Sequence, residues 1–124
     1  MKIGILEDDS AIRGILREML EHAGHTPAVY ENGWDFLLDI FEDEHTPKPG
    51  VFDVVLIDLV LPSISGAEVL NTIANAYPSL PVIIISASSN EYLASIKRRY
   101  PHVKILQKPF RFHELLDNLT QVVS

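Results

Sequence analysis

The chain has 124 residues, a formal charge of −7, 47% hydrophobic and 22% charged residues, and no cysteine. Its length suits one domain, residues 1–124, large enough for a sheet covered by helices on both faces. The acidic balance argues against bulk nucleic-acid or anionic-membrane binding, no apolar run reaches membrane-spanning length, and the lack of cysteine excludes disulfides and thiolate metal sites and suits the cytoplasm.

Strand and helix patterns alternate from end to end. Lys2–Leu6 reads as a strand that meets acids too soon for a signal peptide. Residues 10–23 carry a helical stripe at Ile12, Ile15, Leu16, Met19, Leu20 and Ala23. Asp9 or Ser10 can cap that helix, and Gly24 fits its stop. Thr26–Tyr30 is a weaker strand, and residues 32–42 predict a helix buried through Phe36, Leu37, Ile40 and Phe41, with Trp34 partly buried at its opening. Residues 42–50 form a polar loop with Pro47 and Pro49. Residues 52–57 are a β-branched apolar run, the central strand. A helix over 66–77 presents Ala67, Leu70, Ile73 and Ala74 on one face, and residues 81–86 form a strongly apolar strand. The helix over 90–100 has a thin stripe, Leu93 and Ile96; residues 103–107 are the last strand; residues 111–123 are a helix packed through Phe112, Leu115, Leu116, Leu119 and Val122. This alternation implies an α/β fold with a doubly wound parallel sheet. Functional groups in such sheets collect at the carboxyl ends of the strands.

Polar residues stand at those ends. Glu7, Asp8 and Asp9 follow the first strand, Asp58 the third, Ser86 closes the fourth and Lys108 the fifth. Adjacent acids repel unless a cation is present, and a hard ion such as Mg²⁺ takes oxygen ligands. Each residue has an ordinary reading: Asp9 as a helix cap, Asp58 and Ser86 as turn formers, Lys108 as a surface cation. Asp58 stands several residues ahead of the next helix, too early for a cap. A carboxylate flanked by metal, hydroxyl and lysine can accept a phosphoryl group. The Lys108-Pro109 bond is a candidate for the cis form. The histidines at 22, 25, 45, 102 and 113 lack metal-ligand spacing and read as surface residues.

Ile5-Leu6-Glu7-Asp8, Gly24-His25 through Asn32-Gly33, the run from Asp53 to Asp58, Leu61-Pro62 with Gly66, Leu80 to Ile83 with Ser86-Ala87, and Lys108-Pro109-Phe110 together resemble the receiver domain of two-component response regulators. The resemblance implies a five-stranded, flavodoxin-like sheet of order 2-1-3-4-5 with five helices. It implies that Asp58 takes a phosphoryl group from a phosphohistidine on a sensor histidine kinase or phosphotransfer protein. It implies Mg²⁺ (or Mn²⁺) held by Glu7, Asp8, Asp58 and the backbone carbonyl of Val60, with Ser86 and Lys108 contacting the phosphoryl group. The expected output surface, for a homodimer or an output domain, is the fourth helix, fifth strand and fifth helix, with Lys97, Arg98 and Arg99 either solvated at a helix end or part of that surface. The protein is expected to be a phosphoacceptor that assists its own phosphotransfer and dephosphorylation rather than a turnover enzyme, with no output domain in these residues. Ile105 departs from the family by standing where an aromatic switch residue is common, and Glu7 replaces the commoner Asp. Val60, an apolar residue unable to position a water, suggests slow self-dephosphorylation.

Two other readings compete. A binding module that kept the site but lost the switch draws support from Ile105. A phosphohydrolase with an aspartyl nucleophile would need a second acid two residues after Asp58, where this chain has Val60.

Overall fold

In chain order the elements are β1 (Lys2–Leu6), α1 (Ser10–His22), β2 (Thr26–Tyr30), α2 (Gly33–Ile40), β3 (Val54–Asp58), α3 (Gly66–Ala76), β4 (Val82–Ser86), α4 (Asn90–Arg99), β5 (Lys104–Gln107) and α5 (Phe112–Val122). The structure, a computed structural model, describes residues 1–122. The predicted helical residue Val123 lies outside that range.

All strand pairings are parallel, and the order is β2-β1-β3-β4-β5. Every residue of β3 and β4 is buried. Strands covered on both faces need apolar side chains on both, so these two read as continuous apolar runs without alternation. Within β3 the pleat still divides them. Val55 and Ile57 join Phe36, Ile40, Leu70 and Ile84 in one core. Val54 and Leu56 join Leu16, Leu20, Ile83, Leu115 and Leu119 in the other. Burying one such side chain contributes about 1.5–3 kcal/mol, so the two cores hold the layers together. The register pairs Leu6 with Ile57, Asp58 with Ile85 and Ser86 with Gln107, which brings the carboxyl tips of four strands to one edge.

Several side chains lie elsewhere than the patterns suggested. The stripe on α1 is wider than the sheet can cover: Leu16 and Leu20, one turn apart, take the core, while Ile15 and Met19 are 54% and 41% exposed. Trp34, expected partly buried, is 55% exposed, because Phe36 and Ile40 take the inward face of α2. On α3 the buried residues are Val69, Leu70 and Ile73, with Ala67 and Ala74 half-buried at the margin. The thin stripe of α4 is Leu93 and Ile96. Of the five histidines, His25 is half-buried and bonds the N-terminal ammonium at 3.1 Å; burial and that charge push its pKa down.

The 42–50 loop folds back on itself through Glu42 N–H to Thr46 O and Lys48 N–H to Ile40 O, 2.8 Å each. The Tyr77 hydroxyl stands 2.7 Å from the carbonyls of Ile40 and Lys48, tying the loop to α3. At the end of α4 the Lys97 ammonium donates to the Val103 carbonyl. Arg99 donates to Asn71 at 3.4 Å and lies 5.5 Å from the Tyr100 ring centroid. Among the described residues no helix is long and apolar enough to cross a membrane.

Candidate functional site at the carboxyl edge of the sheet

Glu7 prolongs β1: its N–H donates to Tyr30 O at 3.1 Å, and the residue is fully buried. Asp8 turns outward and is exposed. Asp9 caps α1, accepting from Ala11 and Ile12 N–H at 2.9 and 3.1 Å. The acid triplet therefore divides into a buried carboxylate, an exposed one and a cap. Asp58 is the last residue of β3 and 5% exposed. Its Oδ1 accepts from Val60 N–H at 3.0 Å.

The Lys108 ammonium bridges the buried acids, 2.7 Å from Glu7 Oε2 and 3.0 Å from Asp58 Oδ2. Its backbone N–H donates to Ser86 O at 2.8 Å, and the bond to Pro109 is cis, the form the sequence allowed. Burial alone would lower the Lys108 pKa, but the bonds and charges of Glu7 and Asp58 outweigh it and raise the value. Burial raises the Glu7 pKa, with repulsion from Asp58 adding and the Lys108 bond offsetting part of it. Lys108 and the two acids offset one another's charge, in a place where any of them alone would be costly.

Ser86 is fully buried at the tip of β4, and its Oγ donates to Ser88 Oγ at 2.7 Å. Val60 is 66% exposed beside the cluster. Gly66 packs against the end of β3: a Cβ there would stand 2.1 Å from the Asp58 carbonyl oxygen. Only hydrogen fits, so α3 can start directly against the tip of β3.

The sequence pattern missed Arg13. Its Nη1 donates to the carbonyls of Glu7 and Asp8 at 2.9 and 2.8 Å, and Nη2 lies 3.8 Å from Glu31. The available signal was a cation near the start of α1, where the helix dipole disfavours positive charge. Such a residue calls for another role, and here it fixes the loop carrying both acids.

Carboxylate oxygens of Glu7, Asp8 and Asp58 lie within 4.8 Å of one another. Oxygens on one octahedral Mg²⁺ stand about 3–4 Å apart. Asp8, the exposed member, is the carboxylate whose rotation can close that difference. The donors are all hard oxygens, and Asp8 is exposed to solvent, so they fit such an ion.

A response regulator receiver domain model matches residues 3–120. The chain belongs to this family. Among curated relatives it is 31% identical over 122 residues to the DNA-binding transcriptional regulator NtrC of Escherichia coli K12, covering 98% of this chain and 24% of that protein. The chain thus spans about a quarter of the length of that relative. Among solved structures it resembles the Thermotoga maritima response regulator TrrA in complex with Mg²⁺ and beryllium fluoride, at 26% identity and a TM-score of 0.81 over 98% of this chain and 97% of that one. It also resembles DrrB, a Thermotoga maritima OmpR/PhoB homologue, at 27% identity and a TM-score of 0.80, covering 98% of this chain and 52% of that one. The receiver fold, with its 2-1-3-4-5 sheet, is the one expected from the sequence.

Proposed function

We propose that residues 1–124 act as one phosphorylation-activated signalling switch, with Asp58 as the phosphoryl acceptor. The observation that carries this reading is the buried Asp58 carboxylate held by the Lys108 ammonium beside Glu7 and Asp8. The donor is a phosphohistidine on a histidine kinase or phosphotransfer protein. An Asp58 oxygen forms the new P–O bond, the P–N bond breaks, and its electron pair stays on the imidazole, which takes up a proton.

Glu7, Asp8, Asp58 and the Val60 carbonyl hold Mg²⁺ or Mn²⁺, whose charge offsets that of the incoming phosphoryl group. Val60 N–H fixes the orientation of the Asp58 carboxylate. Lys108 exchanges a carboxylate partner for a phosphoryl oxygen, and Ser86 donates its hydroxyl to another. These are positioning and charge effects, which phosphoryl transfer chiefly needs. The domain assists its own labelling and slow hydrolysis and makes one adduct per chain. The Val60 side chain offers no polar group to orient an attacking water.

The donor docks where apolar surface adjoins the site. Ile15 and Met19 stand exposed on α1, and with Ile12, Pro109 and Phe110 they line a groove that reaches Lys108. The output surface is α4–β5–α5, facing a second copy or an output domain, and the setting is cytoplasmic. With Lys97 and Arg99 engaged inside the domain, Arg98 is the basic residue of that run most available to a partner.

Incubation with phosphoramidate, a small P–N donor, followed by borohydride reduction and peptide mapping, tests the assignment. Modification at Asp58 that requires Mg²⁺ is the expected result. Modification at a histidine, or at Asp8 in place of Asp58, would refute it.

A further inference from the structure

A hydroxyl donates one hydrogen bond at a time. The Ser86 hydroxyl is fully buried and donates to Ser88 Oγ at 2.7 Å, while Ser88 N–H donates back to Ser86 Oγ at 3.1 Å. The Ser86 hydroxyl is thus engaged with Ser88. To bind a phosphoryl oxygen on Asp58, Ser86 must give that bond up. The exchange is favourable, because hydrogen bonds to an anionic acceptor are about twice as strong as neutral ones.

Ser88 is in turn tied to the moving parts. Its carbonyl accepts from Gln107 Nε2 at 3.4 Å, and the same amide nitrogen donates to Asn90 Oδ1 at 3.0 Å. Asn90 is the first residue of α4, Ser89 caps that helix through Tyr92 N–H at 3.2 Å, and Gln107 is the register partner of Ser86 across β4 and β5. Ile105, two residues earlier on β5, packs against the core and has no side-chain polar group to take part. A polar route therefore runs from Ser86 through Ser88 and Gln107 to the start of α4. We propose that Ser88 is a positioning residue that holds the Ser86 hydroxyl off the phosphoryl site at rest. Its release, passed on by Gln107, shifts the first turn of α4. This rests on Asp58 being the phosphoryl acceptor.

The test uses beryllofluoride with Mg²⁺ as the phosphoryl mimic, read by binding affinity and by amide chemical shifts. Ser88→Ala removes the competing acceptor and tightens binding by about 2- to 10-fold, the equivalent of one hydrogen bond. Ser88→Thr keeps the hydroxyl and stays within about twofold of wild type. In Gln107→Ala the Ser86 amide still responds to the mimic, and the response of residues 90–99 shrinks to a minor fraction. Unfolding midpoints confirm that each variant is folded. Unchanged or weaker binding in Ser88→Ala, or a full α4 response in Gln107→Ala, overturns the relay while leaving Asp58 as the acceptor. Failure of the wild-type chain to bind the mimic overturns the acceptor reading itself, and the relay with it.

Discussion

Lys108→Met would keep the apolar stem of the lysine and remove its charge. Glu7 and Asp58, with side chains 1% and 7% exposed, would then face each other with no cation between them. Removing one partner of a buried ion pair typically costs about 3–5 kcal/mol. Here a proton offers an escape. Protonating a carboxylate of ordinary pKa 4.5 at pH 7 costs about 3.4 kcal/mol, which sets the ceiling. Burial already raises the Glu7 value, so the expected loss lies below that ceiling. The sign with pH follows from linkage. A carboxylate whose folded pKa is raised binds more protons when folded than when unfolded, so stability falls as pH rises from the unfolded value through the folded one. The deficit should therefore be larger at pH 7 than at a pH near the ordinary carboxylate value of 4.5. Mg²⁺ should stabilise the variant more than wild type by supplying the missing positive charge. Adding Asp58→Asn should recover part of the loss, since the two sites are in contact. Urea unfolding at both pH values, with and without Mg²⁺, reads all of this. A deficit independent of pH and Mg²⁺, with the double variant simply additive, would refute the reasoning.

Other outcomes follow from the same geometry. Because burial raises the Glu7 pKa, Mg²⁺ affinity by calorimetry should begin to fall while the pH is still above the ordinary carboxylate value of 4.5, and Glu7→Gln should bind more weakly and lose that dependence; a flat profile in wild type would contradict the burial argument. Gly66→Ala places a methyl 2.1 Å from the Asp58 carbonyl oxygen and should cost about 3 kcal/mol or more in urea unfolding; a near-neutral result would mean the start of α3 can give way. Val60→Asn puts an amide on an exposed position beside the proposed acceptor and should shorten the phosphoryl lifetime by about tenfold, the equivalent of one good hydrogen bond; an unchanged decay of radiolabel would refute the proposal that Val60 slows hydrolysis.

The strand tips were legible because alternation of apolar runs with helical stripes fixes which residues end a parallel strand, and Glu7, Asp58, Ser86 and Lys108 all stand at such ends. Strand order came from resemblance, since periodicity says nothing of which strand neighbours which. The division of labour within Glu7-Asp8-Asp9 was not legible: which acid is buried depends on the pleat at the end of β1 and on α5 closing over the sheet through the Lys108 turn. Arg13 was missed because its partners are backbone carbonyls, which leave no trace in side-chain pattern. Ile15, Met19 and Trp34 were placed inside or at the core because apolarity was read as burial. The sheet has width for only one stripe per helix, and the surplus apolar residues of α1 face outward beside the site. The Ser86–Ser88 bond could not be read either, since adjacent serines in a loop predict turns before partners.

The central claim is that Asp58 is a metal-dependent phosphoryl acceptor. It is tested most directly by intact mass after incubation with acetyl phosphate and Mg²⁺, beside an EDTA control and Asp58→Asn. One phosphate adduct that needs Mg²⁺ and is absent from the variant is the predicted result. An unmodified wild-type chain that still folds and binds Mg²⁺, or an adduct of equal yield on Asp58→Asn, would contradict the account.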